Sequence, residues 1–184
     1  MGVAALKEAL PLFAKDIRLN LDSTIAVSTV PEQRLWGAVL STAIASRPRR
    51  VLDEIGSEAR EHLSAQAFEA AKAAAAIMAM NNVYYRAKHL LADEGAPEYE
   101  HIPARLRMQV TATRGGVDAE DFEFWCLAVS AVNGCGGCLA AHDRKLRELG
   151  IPREQAHEAL RIAAVVHAVA VTLEGEEVVP SPVG

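Results

Sequence analysis

Alternation of apolar and polar residues in steps of two, bounded by Asn-Gly or Asp-Gly turns, is nearly missing from this chain, so strands are not expected. Helix start and stop signals recur instead. Pro31 opens the segment Pro-Glu-Gln-Arg-Leu-Trp-Gly-Ala-Val-Leu as a first helical residue. Ser64 opens an alanine-rich stretch, Ala65 to Met80, that continues toward Leu91. Asp118 is placed to cap a helix over 119–133. Gly150 ends the helix before it, and Pro152 starts a last helix running to about Leu173. Alanine is the best helix former and lets helices approach closely, so the pattern predicts an all-α helical bundle. The tail 175–184, with Pro180 and Pro182, is expected to fray.

The chain also repeats itself at a constant offset. Leu35-Trp36-Gly37-Ala38-Val39-Leu40-Ser41 aligns without a gap on Phe124-Trp125-Cys126-Leu127-Ala128-Val129-Ser130. Gln66, Glu69, Ala70 and Lys72 align on Gln155, Glu158, Ala159 and Arg161. This predicts a single domain of two similar helical halves sharing one core: a structural half over about 1–92 and a redox half over about 93–174. The polar linker between them, 93–103, is expected to be loop-like. The repeat also isolates the chemistry. Where the second half has Glu123, Cys135, Cys138 and His142, the first has Arg34, Ser46, Arg49 and Asp53.

Composition narrows the class. Hydrophobic residues make up 51% and charged residues 23% of 184, enough apolar material for a sizeable core. A net charge of -5 argues against a general nucleic-acid binder. The longest apolar run, Ile162 to Val171, is interrupted by His167 and is too short to span a bilayer. The N-terminal residues lack a signal pattern, so a cytoplasmic, reducing setting is expected, where Cys-x-x-Cys is catalytic or metal-binding rather than a staple. Gly115-Gly116 and the glycines at 134–137 match neither dinucleotide nor P-loop spacing, so no bound nucleotide cofactor is expected.

The reactive segment runs from Glu123 through Cys135-Gly-Gly-Cys138 to His142. Asn133-Gly134 breaks one helix and the next begins near Cys138, where free amides and the helix dipole favour thiolate. His142, four residues after Cys138, shares its helix face and can move a thiol proton near neutral pH. Glu123 lies about 16 Å before Gly134 along its own helix axis and His142 about 6 Å after Cys138, so modest tilt would bring them together. Zinc held by Cys135, Cys138, His142 and Glu123 is the alternative chemistry. Cys126 points to the opposite helix face and is expected to be a core thiol. His167 is expected to be a hydrogen-bonded core residue, and Trp36 and Trp125 matched core packing. His62, His89, His101 and His157 carry no signal. The long apolar stretches around Ile77 and Val165 are expected to leave surface for another subunit to cover.

The spacing of Glu123, Cys135, Cys138 and His142, the context Phe-Trp-Cys-Leu-Ala-Val-Ser-Ala-Val-Asn-Gly-Cys, and Ala76 to Arg86 resemble the alkyl hydroperoxide reductase D (AhpD) family. This family lies in the carboxymuconolactone decarboxylase-like superfamily. The resemblance implies an all-α homotrimer acting as thiol peroxidase and disulfide reductase on alkyl hydroperoxides. It implies two partners, the peroxiredoxin AhpC and a lipoyl-bearing 2-oxoacid dehydrogenase component whose dihydrolipoyl group donates electrons. By position it makes Cys138 the sulfur that becomes sulfenic acid or links to AhpC, and Cys135 the proton donor and disulfide partner. Glu123 and His142 become the proton relay, with no resident metal or cofactor. Two points bear on these roles. In thioredoxin-like turns the first cysteine usually attacks, but helix spacing ties His142 to the second, and the spacing and the resemblance together point to Cys138. Gly137 also stands where some relatives have histidine. A zinc-stabilised binding module and a cofactor-free decarboxylase are the alternative functions.

Overall fold

The structure is a computed structural model describing residues 2–180. Its regular structure is helical, with no strand among the described residues. The α-helices are α1 (Val3–Ala9), α2 (Lys15–Ala26), α3 (Glu32–Ser46), α4 (Arg49–His62), α5 (Ala65–Asp93), α6 (Gln109–Thr113), α7 (Ala119–Val132), α8 (Gly136–Glu148) and α9 (Arg153–Val178). Short 3-10 turns at Leu12–Ala14, Pro97–His101 and Arg114–Gly116 join them.

Local chemistry explains most boundaries. Pro31, Pro48 and Pro152 stand just before α3, α4 and α9 with φ of -52°, -56° and -68°, so the fixed ring leads the chain into each helix. Ser64 caps α5, its Oγ accepting the Ala67 N–H at 3.1 Å. Asp118 occupies the cap position of α7, but its side chain accepts no hydrogen bond from the helix. The segment expected to be a loop contains the turn Pro97–His101. The last helix runs five residues past Leu173. Leu173 is its final core anchor, but no proline intervenes before Pro180, and Val179 N–H still reaches Gly175 O at 2.7 Å. Fraying from 175 is therefore corrected as far as Val178; residues 181–184 lie outside those described.

Helices α3 and α7 pack on one another at the centre, and α5 and α9 each pack on both. α4 leans on α3 as α8 leans on α7. α2 packs on α9, while the turns at 97–101 and 114–116 pack on α5. The pattern is thus symmetric under exchange of α3–α4–α5 with α7–α8–α9. One cluster of buried apolar side chains draws on all of these long helices. At its centre α3 meets α7 with almost no spacer. Gly37 faces the Trp125 indole so closely that a Cβ would come within 2.1 Å of a ring atom. The Trp125 Nε1–H donates to Arg34 O at 2.9 Å. Arg34, which aligns with Glu123 in the repeat, forms a buried ion pair with Asp121 at 2.8 Å. Trp36 is also core, and stacks on His62 with ring centroids 4.3 Å apart.

Three expectations change on contact with the fold. His167 is exposed, its Nδ1 3.2 Å from Ser46 Oγ. Val166, Val169 and Ala170 take the core face of α9, and the helical period turns 167 outward. α9 as a whole is long and apolar enough to cross a membrane, which the ten-residue run did not suggest. Its buried stripe, Ala156, Ala159, Ile162, Val166, Val169 and Leu173, instead faces other helices. Ile77 and Val165, at the centre of the stretches expected to leave surface for another subunit, are instead partly buried against the core, while Val171 is 55% exposed. Exposed apolar residues lie further along, at Val83 (60% exposed), Leu91 (45%) and Ile102 (49%).

Two outcomes follow from this packing. Gly37→Ala should destabilise the protein by roughly 1–3 kcal/mol or more, because the rigid indole has nowhere to go. Chemical denaturation of the variant measures this, and an unchanged midpoint would contradict the close approach. The second concerns Glu158, which ties α9 to the turn before α3 by accepting from Ser28 Oγ at 2.6 Å and from Thr29. Partial burial raises its pKa, but the Ser28 and Thr29 hydrogen bonds and the Arg161 charge outweigh that and hold it below the usual carboxylate range. A depressed carboxylate stabilises above its unfolded pKa of about 4.3, and that stability is lost as pH falls through the folded value. The melting-temperature deficit of Glu158→Gln should therefore be present at neutral pH and shrink below about pH 4.

Candidate active site

The site begins with the way one helix stops and the next starts. Gly134 takes φ 65°, which closes α7 in a Schellman turn. The Cys135 N–H reaches back to Ser130 O at 3.1 Å, and the Gly134 N–H to Ala131 O at 3.2 Å. Cys135 is then the N-cap of α8: its Sγ accepts the Cys138 N–H at 3.4 Å, and its carbonyl accepts from Leu139 at 2.9 Å. Helix α8 therefore starts at Gly136, two residues earlier than expected. The sulfurs of Cys135 and Cys138 are paired, with Cα atoms 5.3 Å apart. Both lie at the positive end of α8, where amides and dipole favour negative charge on sulfur.

The two cysteines are not equivalent. Cys135 is fully buried, while Cys138 retains 7% exposure and borders a cavity of about 450 Å³. His142 borders the same cavity, one turn along α8. The short turn between α7 and α8 brings Glu123 alongside, and the His142 Nδ1 stands 2.7 Å from Glu123 Oε2. Both side chains are largely buried, at 17% and 16% exposure. A carboxylate can only accept, so Nδ1–H donates to it and Nε2 is left to exchange protons. Sequence spacing thus brings all four predicted residues into one site. Cys126 is buried and unpaired. Burial, and then the nearby Glu123 charge, raise its thiol pKa well above the usual value. Among the described residues no group of three or more His, Cys, Asp or Glu is arranged to hold a metal ion.

The first half contributes more than a copy of the fold. One face of α5 lies along the turn that carries Cys135 and Cys138. Asn82 Nδ2 donates to Ser130 Oγ at 2.9 Å, and Asn82 Oδ1 accepts from Asn133 Nδ2 at 2.9 Å. Arg86 donates to Asn133 O. Met78, Asn81, Tyr85 and His89 line the cavity opposite Cys138. The signal was present as polar residues at helical spacing in an alanine-rich helix, but the clamp requires knowing that α5 crosses to the other half's turn.

With this geometry in place, relatives can be compared. Residues 97–179 match the Carboxymuconolactone decarboxylase family. Proteins named alkyl hydroperoxide reductase AhpD align over nearly the whole chain. The one from Frankia alni is 57% identical over 177 residues, 96% of this chain and 94% of its own. The one from Streptomyces griseus is 54% identical over 178 residues, 97% and 98% of the two chains. The one from Mycolicibacterium paratuberculosis is 48% identical over 170 residues, 92% and 93%.

Reduced native protein treated briefly with iodoacetamide should be alkylated at Cys138 and not at Cys126, which should react only after unfolding. Peptide mass spectrometry reads both sites. Rapid native labelling of Cys126 would contradict its burial.

Proposed function

The chain belongs to the AhpD family of the carboxymuconolactone decarboxylase superfamily, and from that premise we propose that it is a dithiol alkyl hydroperoxide reductase. The observation that carries the reading is the asymmetry of the cysteine pair. Cys138 opens on the cavity with His142, and Cys135 sits behind it within disulfide reach. This favours the second cysteine as the reacting sulfur, in line with the helix spacing and the resemblance.

In the proposed cycle the Cys138 thiolate attacks the terminal oxygen of ROOH. The O–O bond breaks, leaving Cys138 sulfenic acid and an alkoxide that takes a proton and departs as ROH. Cys135 then condenses with the sulfenic acid, releasing water and closing the disulfide. His142, held by Glu123 through Nδ1, takes the Cys138 thiol proton on Nε2 and releases it to solvent before the next turnover, with Glu123 stabilising the imidazolium. Two electrons re-enter from a dihydrolipoyl group on a 2-oxoacid dehydrogenase component through a mixed disulfide. By the same exchange, the reduced pair regenerates AhpC, with Cys138 forming the link. The protein would act in the cytoplasm as a homotrimer. The exposed apolar residues Val83, Leu91 and Ile102, which border a second cavity with Tyr84 and Tyr99, suit a subunit contact.

Reconstitution with lipoamide dehydrogenase, a lipoyl domain, AhpC and cumene hydroperoxide should consume NADH. Glu123→Gln or His142→Phe should slow that turnover by roughly 10²- to 10⁴-fold while leaving the fold intact. Near-normal rates in both variants would reject the relay. Light scattering of the reduced protein should give three times 19.7 kDa, and a monomer would contradict the assembly.

A further inference from the structure

One residue on the clamping face of α5 has no part in the cycle above. His89 lies one turn beyond Tyr85 and Arg86, and its ring rests on the backbone of Gly137 in the first turn of α8. A Cβ on Gly137 would overlap that ring, and the three atoms nearest to such a Cβ all belong to it. His89 also borders the cavity onto which Cys138 and His142 open. The ring is therefore placed beside the residue preceding the reacting sulfur, on the side facing α5.

Peroxide cleavage needs two proton movements in opposite directions. The thiol must lose a proton, and the departing oxygen must gain one. His142 serves the first from within α8, with Nδ1 committed to Glu123. Resting on the peroxidase reading above, we infer that His89 serves the second. It donates a proton across the cavity to the leaving alkoxide, and Gly137 lacks a side chain because any substituent would push this ring out. The step balances: Cys138 thiolate, ROOH and one proton from the His89 imidazolium give sulfenic acid and ROH. Neutral His89 recovers its proton from solvent through the cavity. The sulfur supplies the two electrons, which the dithiol donor later returns. The charged and titratable groups around His89 are Tyr85 and Lys88 on α5, Glu100 on the 97–101 turn, and His142 and Arg144 on α8. Lys88 is partly engaged, its Nζ donating to Ile102 O at 3.0 Å.

The overlap at Gly137 involves the end of a movable side chain, so Gly137→Ala should fold and simply displace the ring. Four proteins test the idea: wild type, His89→Ala, Gly137→Ala and the double variant. Each is reduced with dihydrolipoamide and mixed with cumene hydroperoxide or with perbenzoic acid. The first must expel an alkoxide; the second expels a carboxylate that needs no proton. Each single variant should slow cumene hydroperoxide reduction by roughly 10- to 100-fold, the lower part of the range for a lost proton-transfer group. The double variant should be no slower than either single one, because both remove the same ring. Perbenzoic acid should be reduced at near wild-type rates by all four, which a purely structural role would not produce. Equal slowing with both oxidants, wild-type rates in His89→Ala, or additive losses in the double variant would each overturn the inference. A wild-type protein that reduces neither oxidant would instead overturn the peroxidase reading, and this inference with it.

Discussion

Cys135 belongs to two helices at once, and the site depends on that. Its N–H completes the terminal turn of α7, while its carbonyl and sulfur begin α8. With the helices joined so tightly, α8 must fold back beside α7. The same geometry sets Cys138 one turn into a helix N-terminus and brings His142 against Glu123 across the helix pair. A left-handed residue at 134 is what allows the chain to reverse there, and Gly134 adopts it without the steric cost of a Cβ. The placing of Cys138 and His142 on one helix beside Glu123 therefore starts from a backbone turn.

The near-symmetry of the halves shows what the chemistry required in addition. At the position of Glu123 the first half has Arg34, and it makes a buried ion pair with Asp121 that ties α3 to α7. At the positions of Cys138 and His142 it has Arg49 and Asp53, an exposed ion pair one helical turn apart. The same four-residue spacing that sets Cys138 and His142 on one cavity in α8 only links two solvated charges in α4, where little stability is gained. Yet the first half is not idle. α5 supplies Asn82 and Arg86, which hold the turn carrying the cysteines, and most of the opposing cavity wall. Each half is incomplete without the other.

Much of this was legible in the sequence. The prolines, Ser64 and Gly150 marked helix boundaries because their effects are local. Glu123, Cys135, Cys138 and His142 were legible because they lie within twenty residues, where helical geometry alone fixes who can meet. His167 was misjudged because an apolar neighbourhood in sequence does not specify which face of a helix a residue occupies. The helix from Gly175 to Val178 was not expected, because a helix persists past its last core contact until something stops it. His89 gave no signal at all. Its importance arises from the missing side chain at Gly137, 48 positions away, and only the crossing of α5 over α8 joins them.

In the proposed cycle Cys138 is the sulfur that meets the peroxide and Cys135 the one that closes the disulfide. The direct test is to trap the sulfenic acid with dimedone in the single variants Cys135→Ser and Cys138→Ser, using one equivalent of cumene hydroperoxide and peptide mass spectrometry. A dimedone adduct is expected on Cys138 in the first variant and none on Cys135 in the second. An adduct on Cys135 in the Cys138→Ser protein, with Cys138 unmodified in the other, would contradict it.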